Sequence, residues 1–422
     1  MQQHLHSARA VSAGPGLPLG TASTFAATQA VWRFLNNEQI TLPLLGEPLL
    51  QIARQWRRDH SSAWALVIHD WSVLSYPTHT AKRDCTMHGG PNSRGYDLGT
   101  LLLVHGDTGD PIVPLELELR AAREVHSTRS DPVKNKDSRL DNVLPSMRCS
   151  DDVLGQQRVI HIIDREADSV AHYRDWLRNG RCFLVRAKDT RQACWSESDL
   201  KLSQISQHLQ VRGQFRRSGP VEYRGTTAIL HVAETEVVLD RPGWQHRYRQ
   251  GRRVCNHMVS GPPIWLRLIV SRVCDERGKT LATWHLLSNA PSEVTAQNLA
   301  QWYYWRWRIE SFFKLLKSAG HAVEQWQQET SAAIAKRLMV AAMACTLVWN
   351  LQRATAPDAI SFRTFLVRLS GRQMKYGTTY TAPSLLAGLW VYLGMLDALE
   401  QYTVADLQAM KQHLRLTHRD TG

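Results

Sequence analysis

Short unbroken apolar runs, each closed by a charged or turn-forming residue, organise the middle of the chain. Residues 63–68 form one such run and end in His69-Asp70. Residues 159–163 form another and end in Asp164. A run of this kind is the pattern of a strand buried on both faces, and here it delivers a carboxylate at its C-terminal edge. Residues 101–104 and 112–119 predict further strands. A helix is expected over 167–177, stopped by Asn179-Gly180, then a strand over 183–185 with Arg186 and Lys188 just beyond it. Between 195 and 285 the runs at 237–239 and 264–270 predict β-structure. Helical periodicity covers 30–35, ending at Asn36-Asn37, and 49–56. It returns over 295–318, with Gly320 as a C-cap candidate, and over 330–353, 385–399 and 404–414. Residues 1–24, rich in Ala, Gly, Ser and Pro, read as a poorly ordered start. The expectation is an α/β protein with helical N- and C-terminal regions.

Composition narrows the function. The 422 residues are 43% hydrophobic and 21% charged, which fits a folded chain and excludes wholesale disorder. Fifty-one Lys and Arg against 38 Asp and Glu leave a net charge of +13, which points to a polyanionic partner. Seven scattered cysteines without a C-x-x-C pair argue against a disulfide framework or a cysteine-rich zinc site. No H-E-x-x-H spacing occurs. The longest apolar run, 338–349, has 12 residues and contains Thr346, whereas a membrane span needs about 20. No secretory signal is evident, so a cytoplasmic protein with no membrane partner is expected. The stretch RPGWQHRYRQGRR, 241–253, reads as a basic, aromatic-bearing loop, either simply solvated or in contact with nucleic acid.

The strongest local chemistry lies in the helix over 295–318. Tyr303, Arg306, Glu310 and Lys317 fall within a stripe roughly 60° wide on one helical face. A phenol, two cations and a carboxylate suit a phosphodiester bound through a metal. Arg306 and Glu310, four residues apart, also fit a plain surface ion pair. Asp70 and Asp164 add two strand-end carboxylates, each of which alone reads equally well as a cap or turn residue. Together, Asp70, Asp164 and Glu310 form an oxygen donor set for two divalent cations, Mg²⁺ with Mn²⁺ as a substitute.

These residues resemble the DDE transposases of the insertion sequence four (IS-four) family, of the Tn-five type. The signature Tyr-x2-Arg-x3-Glu-x6-Lys is met by Tyr303, Arg306, Glu310 and Lys317. Asp-Arg-Glu-Ala-Asp stands at 164–168, and Asp70 lies in IHDWSVLSY. The resemblance runs from about residue 25 onward. It implies a ribonuclease-H-like catalytic core with a β-rich insertion. The implied division is a helical, shortened N-terminal DNA-binding region at 1–60, core at 61–194, insertion at 195–285, core again at 286–353, and a dimerisation region at 354–422. It implies that Asp70, Asp164 and Glu310 ligate Mg²⁺. Tyr303, Arg306 and Lys317 would hold the terminal phosphates, Trp284 would stack on a displaced base, and Arg186 and Lys188 would lie near the DNA backbone. The implied substrates are double-stranded transposon terminal inverted repeats and target DNA. One strand is hydrolysed, the freed 3′-hydroxyl attacks the other to give a hairpin, and the reopened end joins the target. Cleavage in trans implies a homodimer.

One departure is that only 69 residues precede Asp70, and the opening basic helix that such proteins use to read the terminal repeat is not evident. Besides an active transposase, the sequence leaves open a shortened DNA-binding, dimerising protein that inhibits a full-length transposase, and a nuclease that cuts without a terminal repeat. The expectation is intact chemistry with weak end-specific binding. Gel-shift titration against the matched terminal repeat is expected to show weaker binding than an upstream-extended version; equal binding would refute it.

Overall fold

The computed structural model describes residues 23–61, 63–88, 93–133, 138–155, 157–249 and 252–411. The start at 1–22 and the expected helical residues past 411 lie outside these. Contacts divide the chain into two units. One contains the sheet (41–78 and 83–313), the other is helical (1–40, 79–82 and 314–422).

In the sheet unit the strands are β1 (Trp64–Ser75), β2 (Thr86–Met87), β3 (Arg94–His105), β4 (Pro111–Arg120), β5 (Val125–Ser127), β6 (Arg158–Ile163) and β7 (Phe183–Ala187). After them come β8 (Gln192–Trp195), β9 (Ser198–Lys201), β10 (Arg216–Tyr223), β11 (Thr226–Leu239), β12 (Gly243–Arg249), β13 (Arg252–Val259), β14 (Ile264–Cys274) and β15 (Thr280–Ser288). One sheet runs β5-β4-β3-β1-β6-β7-β15-β14-β11-β8-β9, with β2 on β3 and β10 on β11. β1, β6 and β7 are parallel; β3 pairs antiparallel with both β1 and β4, so β4 again runs in the direction of β1. The apolar runs of β1, β6 and β7 are buried on both faces, as their lack of alternation requires.

The β-rich stretch continues the same sheet. β15 pairs with β7 from His285↔Ala187 to Ser288↔Leu184. One apolar core runs beneath both parts, from Ile163, Phe183 and Val185 to Val237, Leu266 and Leu287. The helices Val170–Arg178 and Leu202–Val211 cover it with Tyr173, Trp176 and Ile205.

Several expectations shift. β1 does not stop at Asp70, because β3 goes on pairing with it from Asp70↔Thr100 to Ser75↔Gly95. Asp70 therefore sits inside a strand. The helix expected from 167 begins as a 3-10 turn, Arg165–Ala167, before Val170–Arg178. The long helix expected over 295–318 is two helices, Ala296–Trp305 and Trp307–Leu316. At the join the Arg306 amide donates to Tyr303 O at 3.1 Å, a three-residue reach that tightens the turn. The basic stretch at 241–253 is a β12-β13 hairpin, not a loop; its side chains from 244 to 257 lie outside the described residues. Buried Arg174 ties the hairpin's root down, donating to the carbonyls of Arg241, Val259 and Pro262.

The turn between β3 and β4 docks the first of the two helices. Trp302 Nε1 donates to Gly106 O at 2.8 Å, and its ring lies 5.5 Å from that of Trp64. Gly109 has φ +71 and lies flat against the Trp305 ring, where a methyl group would overlap it. Arg308 Nε donates to Gly109 O at 2.8 Å.

In the helical unit, Val31 and Leu35 of Ser23–Asn36 pack on Ala333 of Ser331–Arg353. Arg363 of Pro357–Leu369 caps the C-terminal carbonyls Leu351 and Gln352. Gly320 is not a C-cap: its backbone packs against Leu315 O, four residues beyond the helix end at Leu316. Among the described residues, two helices are long and apolar enough, by length and composition, to cross a membrane: Ser331–Arg353 and Ala382–Glu400. The count of unbroken runs missed the first because Thr346 returns its hydroxyl to Ala342 O at 3.0 Å and does not interrupt its helix. The first is 83% buried, as a core helix is, and the second 28%.

Gly109→Ala is expected to lower the unfolding free energy by about 2–4 kcal/mol, combining left-handed strain with overpacking. Gly225→Ala has φ +82 but open space around it and is expected to cost about 1–2 kcal/mol. Urea unfolding of both separates the packing cost from the backbone cost.

Candidate active site

Parallel pairing puts His69 of β1 opposite Ile163 of β6. The next residue on each strand is an aspartate, so Asp70 and Asp164 stand side by side. Asp70 Oδ1 accepts the Trp71 amide at 2.8 Å, and Asp164 Oδ1 accepts the Arg165 amide at 2.7 Å as the cap of the 3-10 turn. Glu310 comes from the first turn of Trp307–Leu316.

Arg306 joins the three. Its Nη1 donates to Asp70 Oδ2 at 2.7 Å and its Nη2 to Glu310 Oε1 at 2.6 Å. Nη2 also lies 3.7 Å from Asp164 Oδ2. The side chain is only 6% exposed. Tyr303, buried, donates its hydroxyl to Asp164 Oδ1 at 2.9 Å. Arg186 stands on the far side of Asp164 at 3.7 Å.

The two aspartates differ electrostatically. Burial pushes Asp70 up to about 6, against the pull of Arg306 and the Trp71 amide. Burial also pushes Asp164 upward, but Arg306, the Arg165 amide, Tyr303 and Arg186 together hold it below the usual carboxylate value. Burial raises the Tyr303 phenol, keeping it a neutral donor. Burial opposes the charge on Arg306, yet Tyr303 and the three carboxylates raise its pKa above the ordinary guanidinium value.

The sequence motifs divide in role. Of Asp164-Arg165-Glu166-Ala167-Asp168, Asp164 faces the site. Buried Asp168 instead accepts from Tyr173, Arg191 and the Lys188 amide. It thereby fixes the segment that presents Arg186 at the site and leaves Lys188 exposed. Trp284 is 5% exposed and packs edge-to-face on Tyr303 at 5.5 Å, with no open face in this conformation. Lys317 lies past the end of the second helix, in the helical unit, with its ammonium 3.6 Å from Glu324. The single-face stripe presumed one unbroken helix, so its geometry does not extend to Lys317.

Two features escaped the sequence. Trp307 is 46% exposed beside the site, its ring 5.7 Å from the Arg306 guanidinium carbon. Its signal was only its place next to Arg306. His69 and His161, both 1% exposed, lie 3.0 Å apart across β1 and β6. Burial lowers the pKa of each, so both are neutral. His161 continues to Asp151 at 3.5 Å, which pairs with Arg181. A histidine inside one apolar run and another closing the other was the available sign.

Oxygen donors suit a hard divalent cation. Among the described residues, however, no group of three or more His, Cys, Asp or Glu is spaced to hold a metal ion. The guanidinium lies between the carboxylates instead.

Residues 146–347, just under half of the chain, match the family model described as the transposase DDE domain. That match gives the enzyme class: a DDE transposase, which acts on DNA with the help of divalent metal such as Mg²⁺. Asp164, Arg186, Lys188, Trp284, Tyr303, Arg306, Glu310 and Lys317 lie within the matched segment; Asp70 lies before it.

In metal-free protein, the raised pKa of Asp70 makes the folded state the better proton binder between about pH 4 and 6. Wild type is therefore expected to lose about 1–3 kcal/mol relative to Asp70→Asn as pH rises through that window, and nothing further above it. Urea unfolding in chelator at pH 4.5 and pH 7 measures this; a difference that grows with falling pH in favour of the variant contradicts it.

Proposed function

We propose that the protein is the transposase of a bacterial insertion sequence of the IS-four family, similar to the Tn-five type. The observation that carries this reading is the gathering of Asp70, Asp164 and Glu310 around one guanidinium, at the point where two parallel strands end their pairing. The strand order β4-β3-β1-β6-β7, with only β3 antiparallel to the rest, supports a ribonuclease-H-like core. In that reading 61–194 and 286–353 form the core, 195–285 the inserted strands, 1–60 a DNA-binding region and 354–422 a dimerisation region. Exposed Met395, Leu399, Val404, Leu407 and Met410 support a second copy of the chain as partner of the last region.

Asp70, Asp164 and Glu310 would hold two Mg²⁺ ions, with Mn²⁺ able to substitute. Bound there, the ions would activate the attacking hydroxyl and neutralise the leaving oxygen. Tyr303 would keep its proton and orient Asp164 through the hydrogen bond already formed. Arg306, with its fork of donors, suits a terminal phosphate, and Arg186, Lys188 and Lys317 add positive charge for the strand backbone. Trp284 would support Tyr303, and take a displaced base only if its packing opens. The products are a nicked end, a hairpin, and an end joined to target DNA. The place of action is the cytoplasm, on the nucleoid.

A duplex carrying the element's terminal repeat tests this. With Mg²⁺, wild type is expected to nick the end and form a hairpin, seen on denaturing gels. Glu310→Ala is expected to lose at least about a thousandfold in rate while still binding the duplex. Cleavage that ignores the repeat favours a general nuclease; absence of cleavage by wild type removes the active reading.

A further inference from the structure

Arg306 occupies a position with two incompatible demands on it. Its guanidinium is the one basic group on the described residues within 4 Å of all three carboxylates. Arg186 reaches only Asp164. Two of the three contacts, at 2.7 and 2.6 Å, are full charge-assisted hydrogen bonds made by different nitrogens. Three carboxylates this close repel one another strongly unless a cation lies among them. The guanidinium meets that need, but it is wide and flat. It holds Asp70 and Glu310 on separate nitrogens, whereas Mg²⁺ draws its oxygens to about 2.0–2.1 Å from a single centre. That is the physical reason no three acidic groups here have metal spacing.

We propose that Arg306 is the resident counter-cation of the triad, and that guanidinium and divalent metal exclude one another from it. This rests on the assignment of the triad as a metal site. Entry of metal requires Arg306 to leave, and a buried guanidinium leaves most readily toward another anion. The way out is marked by Trp307, half exposed and next to the guanidinium. A DNA phosphate there offers two oxygens to the same fork of donors. DNA and metal therefore bind with positive coupling: phosphate takes the arginine, and the vacated carboxylates take the metal. The site stays neutralised and takes metal only weakly until the substrate arrives.

Mn²⁺ binding to the metal-free full chain, measured by calorimetry with and without a short DNA duplex, tests the coupling. Arg306→Gln is expected to bind Mn²⁺ at least tenfold more tightly than wild type without DNA. Wild type is expected to gain at least tenfold when duplex is added, and Arg306→Gln much less. Equal Mn²⁺ affinities of wild type and Arg306→Gln overturn the proposal while leaving the metal site standing. Absence of Mn²⁺ binding in both, indistinguishable from Glu310→Ala, overturns the metal site as well. Wild type alone gives a second measure that does not depend on the variant folding. Mn²⁺ is expected to raise the modification of Arg306 by phenylglyoxal, read by mass spectrometry; unchanged protection of Arg306 at saturating Mn²⁺ overturns the proposal.

Discussion

Parallel pairing between β1 and β6 sets the terms for the rest of the sheet unit. It fixes His69 opposite Ile163, and a shift of one residue would turn one aspartate to the opposite face from the other. The neutral pair His69 and His161 ties the two strands together one residue before Asp70 and three before Asp164. A charged pair in that position would add repulsion beneath two carboxylates; burial removes the charge. The register holds two like charges together, and the cation from the neighbouring helix makes that tolerable.

That cation arrives at a bend. A straight helix from 296 to 316 would carry Tyr303, Arg306 and Glu310 on one stripe, but the chain tightens at Arg306. The docking side is fixed by the turn between β3 and β4, where the Gly106 carbonyl accepts from Trp302 and the bare Gly109 lets Trp305 come against the backbone. Aromatic packing on one side and ion pairing on the other hold the same short segment. Trp302 and Trp305 serve here to place a carboxylate.

Much of this was legible in the residues. The apolar runs ending in Asp70 and Asp164 marked two adjacent strands, because burial on both faces leaves no alternation to misread. Tyr303, Arg306 and Glu310 were legible as a set because their spacing survives a tightened turn. Lys317 is about two turns beyond Glu310, where the small change at Arg306 accumulates and the helix has ended. The length of β1 was hidden because its last residues pair only with β3, an interaction between distant segments that leaves no local pattern. The structural role of Asp168 was hidden for the same reason: its partners Lys188 and Arg191 lie some twenty residues on. Gly320 looked like a helix stop from its position alone, but close approach to Leu315 O, not backbone handedness, is what requires it.

The unbroken hydrogen bonding from β6 through β7, β15 and β14 to β11 has a geometric consequence. Strands in a sheet lie about 4.8 Å apart, so β11 stands roughly 19 Å from the strand that ends in Asp164. No hinge interrupts that path, and one apolar core underlies it. The sheet is therefore a ruler of set length. A duplex resting on its far part would meet the carboxylates at a fixed offset of about five or six base-pair steps of about 3.4 Å each. The place where a strand is cut would then be measured by the number of strands between the grip and the carboxylates.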